Sequence, residues 1–152
     1  MNTKLRVLCV SSSGGHWVQL KRVKQAFEDC DLFYASTEKD YSQSVIGSRF
    51  SYVPDASIRS SKLRILWQAL CVLGVIIKVR PDVVVSTGAA PGFFAILFAK
   101  MLGKKTIWID SIANVHQISL AGEKALRYVD LFITQWEHLA GERGLHYYGS
   151  VV

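Results

Sequence analysis

Apolar positions along this chain fall into two alternating rhythms. Residues 5–10, LRVLCV, form a short β-branched run bounded by a Ser/Gly cluster, which predicts a strand. Residues 16–27 follow with Trp17, Leu20, Val23, Ala26 and Phe27 at three-to-four spacing, which predicts a helix. Strands are expected at 32–35 and, more weakly, at 51–53. A long apolar helix is expected at 63–79, stopped by Pro81. The run of valines at 83–85 opens a strand at 83–86 that reads as buried on both faces. A helix at 92–102 ends at Gly103, and a strand follows at 106–109. The pattern then predicts a helix at 120–128, a strand at 131–134, a short helix at 135–142 and a last strand at 145–148.

Strands alternating with helices predict an α/β fold, a Rossmann-like open parallel sheet with helices on both faces. Such sheets bind ligands at the carboxyl ends of their strands, near a topological switch point. At 152 residues, half of them apolar and only 20% charged, the chain reads as one globular domain, 1–152, and not as a disordered segment. The net charge of +6 points to an anionic partner: a phosphorylated ligand, an acidic membrane surface or nucleic acid. No nucleic-acid recognition motif accompanies the charge, so no nucleic-acid partner is expected. Cys9, Cys30 and Cys71 have no metal-like spacing, nor do the four histidines with them, and no metal is expected. The N-terminal run ends in a glycine turn instead of a cleavage site, so no signal peptide is expected, and no stretch is long enough to span a bilayer.

Two small-residue loops lie at strand ends. In SSSGGH, residues 11–16, Ser13, Gly14 and Gly15 let the backbone turn tightly at a helix N-terminus, an arrangement suited to phosphate or diphosphate. The same residues also fit an ordinary strand–helix turn. The loop is neither GxGxxG nor a P-loop, which argues against a dinucleotide site and NTP hydrolysis. His16 could act as a general base there, or simply bond the loop. The second loop, STGAAPG at 86–92, includes Gly88 and allows close approach of a ligand or of the first loop. Asp110 and Ser111 close the 106–109 strand, with Asn114 and His116 beyond, and could orient a sugar or the His16 ring, or cap a helix.

The 63–79 segment is apolar nearly all round. It is about 26 Å long as a helix, and Arg59, Lys62 and Arg64 before it and Lys78 after it are basic. With Trp67 it fits a helix that enters the interface of an anionic leaflet, or a core helix between sheet and partner.

SSSGGH, RPDVVVSTGAAPG, WIDSIANV and DLFITQWEHLA followed by YYG, in that order, resemble the PssD-type subunit of bacterial exopolysaccharide and capsule glycosyltransferases. That family is similar to the membrane subunit of the eukaryotic dolichol-diphosphate N-acetylglucosamine transferase. It also resembles the N-terminal, acceptor-binding half of MurG-like GT-B enzymes. The resemblance implies a heterodimer or larger complex with a donor-binding catalytic subunit, a UDP-sugar donor and a polyprenyl-diphosphate-linked acceptor. It also implies peripheral attachment to the cytoplasmic face of the inner membrane and no cofactor. His16 is then the implied base, with Ser13, Gly14, Gly15, Gly88, Asp110 and Ser111 at the acceptor. Asp110 stands where many relatives carry Glu. Gln135 and Trp136, with Tyr148 and Gly149, are implied at the partner interface. The rival reading is a Rossmann-like nucleotide-binding or regulatory module without transferase activity.

Overall fold

The computed structural model describes residues 3–151; Met1, Asn2 and Val152 lie outside the described residues. Seven strands form one sheet, β1 (Arg6–Ser11), β2 (Asp31–Ser36), β3 (Arg49–Tyr52), β4 (Val83–Gly88), β5 (Lys105–Ile109), β6 (Leu131–Thr134) and β7 (Leu145–Tyr147). Their order is β3-β2-β1-β4-β5-β6-β7, and every pairing is parallel. The chain walks one way from β1 to β3, then crosses over and walks the other way from β4. The switch point therefore lies between β1 and β4.

Helices α2 (Lys62–Val79), α3 (Ala89–Met101) and α4 (Leu120–Ala125) cover one face. Their core joins Val72, Ile76 and Ile96 to Leu8, Val84, Trp108 and Phe132 of the sheet. Helix α1 (Gly15–Arg22) and the 3-10 turns around it cover β1, β2 and β4 on the other face, where Trp17 and Leu20 meet Val7, Tyr34 and Val85. Cys9 is buried in that layer, and burial pushes its thiol up to about 12. Among the described residues the β5–β6 half of this face is bordered by the 3-10 turn Val23–Phe27 and not by an α-helix. There Ile107, Ile109 and Ile133 line a cavity of about 380 Å³ roofed by residues 148–151.

Several elements differ from the pattern's expectation. The first helix is α-helical only to Arg22 and tightens to a 3-10 turn over Val23–Phe27 before the chain drops into β2. The expected helix at 135–142 is only the 3-10 turn Glu137–Leu139, because the side chains of Gln135 and Trp136 bond inward and hold the chain extended. Helix α3 starts earlier, at Ala89; Pro91 falls in its first turn, where a missing N–H costs nothing. Helix α2 stops as expected before Pro81, with Arg80 left-handed at φ 51°.

Candidate functional site

The carboxyl ends of β1 and β4 meet at the switch point. Pairing runs evenly to Val10 opposite Ser86, then skips Thr87, so that Ser11 faces Gly88. Such a bulge re-aims the residue it leaves unpaired. Thr87 is aimed at the start of α1. Its hydroxyl donates to the His16 carbonyl at 2.6 Å, and its own carbonyl lies 2.9 Å from His16 Nδ1. A carbonyl only accepts, so Nδ1 carries the proton, and the neutral form of the ring then has its lone pair on Nε2. Among the described residues Nε2 has no hydrogen-bond partner.

Gly88 makes room for this ring. A Cβ there would sit 2.5 Å from Cε1 and Nδ1 of His16, and the backbone has φ 142°. Ala89 follows at φ 64°, an uncommon state for a residue with a Cβ, so strain is stored beside the imidazole. Gly14, at φ 77°, turns the chain from β1 into α1.

The first loop offers fewer free donors than its sequence implies. Ser13 N–H donates to Thr37 Oγ1 at 3.1 Å, and Gly14 N–H donates to the Tyr41 hydroxyl at 3.0 Å. These bonds hold the loop to the chain after β2 and occupy two of the N–H groups of the expected phosphate site. No side chain caps α1 or α3. The first-turn amides of α1, from Gly15 onward, therefore keep the partial positive charge that suits an anion. Beside the loop, a cleft of about 490 Å³ opens between α2, α3 and α4, lined by Ser12 and Ser13 and by apolar side chains including Phe93 and Phe94. A larger cavity, about 600 Å³, is lined by His116, His138 and Arg143 and does not include His16.

Asp110 is a correction. It is only 2% exposed, and its carboxylate accepts from Trp108 Nε1 at 3.0 Å, Asn114 Nδ2 at 3.0 Å, and Ser119 N–H and Oγ at 2.8 and 2.5 Å. It organises the approach to α4, these donors all lie within the chain, and it makes no bond to His16. Ser111 is also buried; its hydroxyl accepts from Gln19 Nε2 and from Ala113 N–H, both at 3.2 Å.

Gln135 is a second correction. It is 3% exposed, and its amide donates to Gln19 Oε1 at 2.6 Å and to the Asp110 carbonyl at 2.9 Å. Its oxygen accepts from Val151 N–H at 2.7 Å. It ties α1, β5 and the tail together within the chain and presents no side-chain surface to a partner. Trp136 is half-buried and donates its ring N–H to the Ile112 carbonyl at 2.9 Å. Tyr148 and Gly149 are exposed just after β7, one of the two edge strands of the sheet, with β3 at the other edge.

Helix α2 presents an apolar stripe outward. Leu63, Leu66, Trp67, Leu70 and Ile77, at helical spacing, are all more than half exposed. Its opposite face, with Ala69, Val72 and Ile76, is buried. Arg59, Lys62, Arg64 and Lys78 are exposed around the stripe. Arg64 Nε and Gln68 Nε2 bond the carbonyls of Asp55 and Pro54, which brings the loop carrying exposed Ile58 alongside. Among the described residues no helix is long and apolar enough to cross a membrane, and no group of three metal-ligating side chains is gathered.

A family model described as "Oligosaccharide biosynthesis protein Alg14 like" matches residues 38–151. The chain belongs to this Alg14-like family. The UDP-N-acetylglucosamine transferase subunit ALG14 of Candida albicans is 33% identical over 109 residues, covering 67% of this chain and 47% of the relative. The corresponding subunit of Schizosaccharomyces pombe is 38% identical over 65 residues, covering 40% and 31%. The chain thus spans less than half the length of these curated relatives. Among solved structures, MurG of Acinetobacter baumannii superposes with a TM-score of 0.75 at 12% identity, over 96% of this chain and 46% of that one. A UDP-N-acetylglucosamine 2-epimerase of Rickettsia bellii gives 0.72 at 16%, over 97% and 45%. The Alg14-like chain has the fold of the N-terminal domain of MurG-like GT-B glycosyltransferases, with helices on both faces as the pattern predicts.

Thr87, which seats His16, is the site residue that the sequence did not single out, while Gln19 and Ser119 hold Ser111, Gln135 and Asp110 in place. Gln19 had a signal, a polar side chain on the apolar rhythm one turn after His16. Thr87 and Ser119 had none beyond their place in loops.

Proposed function

We propose that this Alg14-like chain is the acceptor-binding, membrane-docking subunit of a two-subunit glycosyltransferase. The enzyme moves a sugar from a UDP-sugar to a polyprenyl-diphosphate-linked saccharide, in exopolysaccharide or capsule synthesis as in the PssD-type subunits it resembles. The observation that carries the reading is the bare Nε2 of His16, held at the switch point of half a GT-B fold beside an uncapped helix N-terminus. The relatives' description as transferase subunits supports a separate partner, which supplies the donor-binding half.

In this reading the acceptor hydroxyl attacks the anomeric carbon as the bond to UDP breaks. The bonding pair leaves with UDP, attack from the face opposite UDP inverts the anomeric centre, and the hydroxyl proton passes to His16 Nε2. Thr87 and Gly88 keep the ring in the orientation that makes Nε2 the acceptor. The first-turn amides of α1 carry charge on the acceptor's diphosphate, helix N-terminal dipoles stabilise the departing UDP, and no metal or cofactor is assigned a step. The apolar stripe of α2 and its basic surround rest on an anionic leaflet at the cytoplasmic face, without spanning it. The partner meets the β7 edge with Tyr148 and Gly149, beside Trp136.

The test is transfer from a panel of radiolabelled UDP-sugars to a polyprenyl-diphosphate-linked acceptor, using this chain, the partner half and both together. Activity only from the pair is expected. Replacing His16 with Ala should lower its rate about 10²-fold or more while the complex still assembles. Activity from this chain alone would overturn the split, and nucleotide binding without transfer would favour the regulatory module.

A further inference from the structure

The cleft beside the first loop has a composition that the reaction at His16 does not call for. Transfer needs polar groups around a sugar and a diphosphate. This cleft is walled instead by Ile58, Ile65, Phe93, Phe94 and Ala121, between the N-terminal halves of α2 and α3 and the start of α4. Its volume of about 490 Å³ lies within the ordinary range for small-molecule sites, about 300–1,000 Å³. An apolar wall of this size left open has no purpose in the packing, since the core beneath it is already closed by Ala95, Ile96 and Val72.

Two features say what covers it. At one end Ser12, Ser13, Ala89 and Ala90 bring the cleft to the loops that flank His16 and to the uncapped start of α3. Lys124 stands at the wall and has no carboxylate partner among the described residues; one acid, Asp55, also borders the cleft. The uncapped start of α3, next to Gly88, gives the end beside these loops the partial positive charge that attracts an anion. On the other side Ile58 belongs to the loop bound to α2 by Arg64 and Gln68. That loop joins the cleft to the exposed stripe of Leu63, Leu66 and Trp67. A continuous apolar path therefore runs from the outer surface of α2 to an electropositive end, and an amphiphile with an anionic head matches it in both polarity and order.

We infer that this cleft holds the first isoprene units of the acceptor's lipid chain, so that the attached diphosphate emerges at the α1 N-terminus beside His16. The inference rests on the proposed acceptor and adds a tail-recognition site to it. Binding then depends on the length of the hydrocarbon next to the phosphate as well as on the phosphate itself. Full burial of a methylene is worth roughly fourfold in affinity. The open side of the cleft lowers the gain per isoprene to about tenfold until the cleft is full.

The experiment titrates the full chain, without partner, donor or membrane, with inorganic diphosphate and with dimethylallyl, geranyl and farnesyl diphosphate below their aggregation limits. Dissociation constants and backbone amide shifts are read together. Affinity is expected to climb about tenfold at the dimethylallyl-to-geranyl step, with shifts at Phe93, Phe94 and Ala121 alongside those at Gly15 and His16. Ala121→Phe fills the cleft and should abolish the tail-length gain while leaving diphosphate binding in place. Phe94→Ser, which removes the wall, should do the same, so that a misfolded single variant does not decide the matter. Leu66→Ser, on the outer stripe, should leave the gain intact. Equal affinity for all four probes overturns the inference, as does a gain that survives both cleft variants or one that disappears with Leu66→Ser. Loss of the transferase reading in the sugar-transfer assay leaves these titrations standing, because they use neither donor nor partner.

Discussion

Gly88 turns its bare Cα toward the imidazole of His16, and the two residues fit only because position 88 has no side chain. A Cβ there would overlap the ring at 2.5 Å. Thr87 immediately before it then holds the ring by its carbonyl at 2.9 Å. The place of the imidazole is thus set by an exclusion and a hydrogen bond from the same strand end.

Gly88→Ala should push the ring off the Thr87 carbonyl and free it to rotate. Displacement of a reacting group by about 1 Å can cost 10²-fold in rate. We expect a loss of that order in sugar transfer by the assembled enzyme. The left-handed backbone adds a stability cost of about 1–3 kcal/mol, read by urea unfolding. An alanine variant that transfers sugar at full rate would show that the ring's seat does not matter.

Asp110→Asn replaces a carboxylate that accepts from four donors with an amide that turns an N–H₂ toward some of them. Breaking buried, charge-assisted bonds of this kind costs about 2–4 kcal/mol. We expect a lower urea midpoint and unchanged transfer per folded molecule. A variant that keeps its stability but loses transfer would return Asp110 to the acceptor site.

Asp130 gives the fold a pH dependence. Its carboxyl is held below the usual value chiefly by the hydrogen bond from Lys100, at 2.7 Å, and also by the Thr106 N–H at 2.9 Å, against a smaller opposing effect of burial. A carboxylate with a depressed folded value stabilises above its ordinary range, about pH 4, and that contribution is lost as pH falls through the folded value. Asp130→Asn should therefore lower stability at neutral pH and make little difference in strong acid. Parallel melting curves for the two proteins across that range would contradict this account.

The outer stripe of α2 should govern membrane attachment. Leu66→Glu with Trp67→Glu puts two charges where more than half of each side chain is exposed. Co-flotation with anionic vesicles is expected to drop at least tenfold. Thermal stability should barely move, as for most surface changes. Retained flotation would assign attachment to another surface.

Much of the fold was legible because it is local. The valine run of β4, the β-branched run of β1 and the three-to-four rhythm of α2 each declare their element within a few residues. The loops after β1 and β4 stood out for the same reason, as small residues at strand ends. The helix expected at 135–142 failed because Gln135 and Trp136 are claimed by Gln19 and Ile112, 116 and 24 residues away. Periodicity over a short window carries no record of such partners.

Side-chain period and glycine or proline punctuation act over one or two turns of chain, so the alternating elements, the parallel sheet and the two loops at its switch point can be read from local residues. Which side chains are left free at the strand ends depends on partners far away along the chain. His16 meets Thr87 across 71 residues, while Asp110 is turned inward by Ser119 and Asn114. The cleft beside His16 exists because crossovers bring α2, α3 and α4 to one face of the sheet. Residue type sets what a group can do; strand order and a one-residue bulge set what stands beside it.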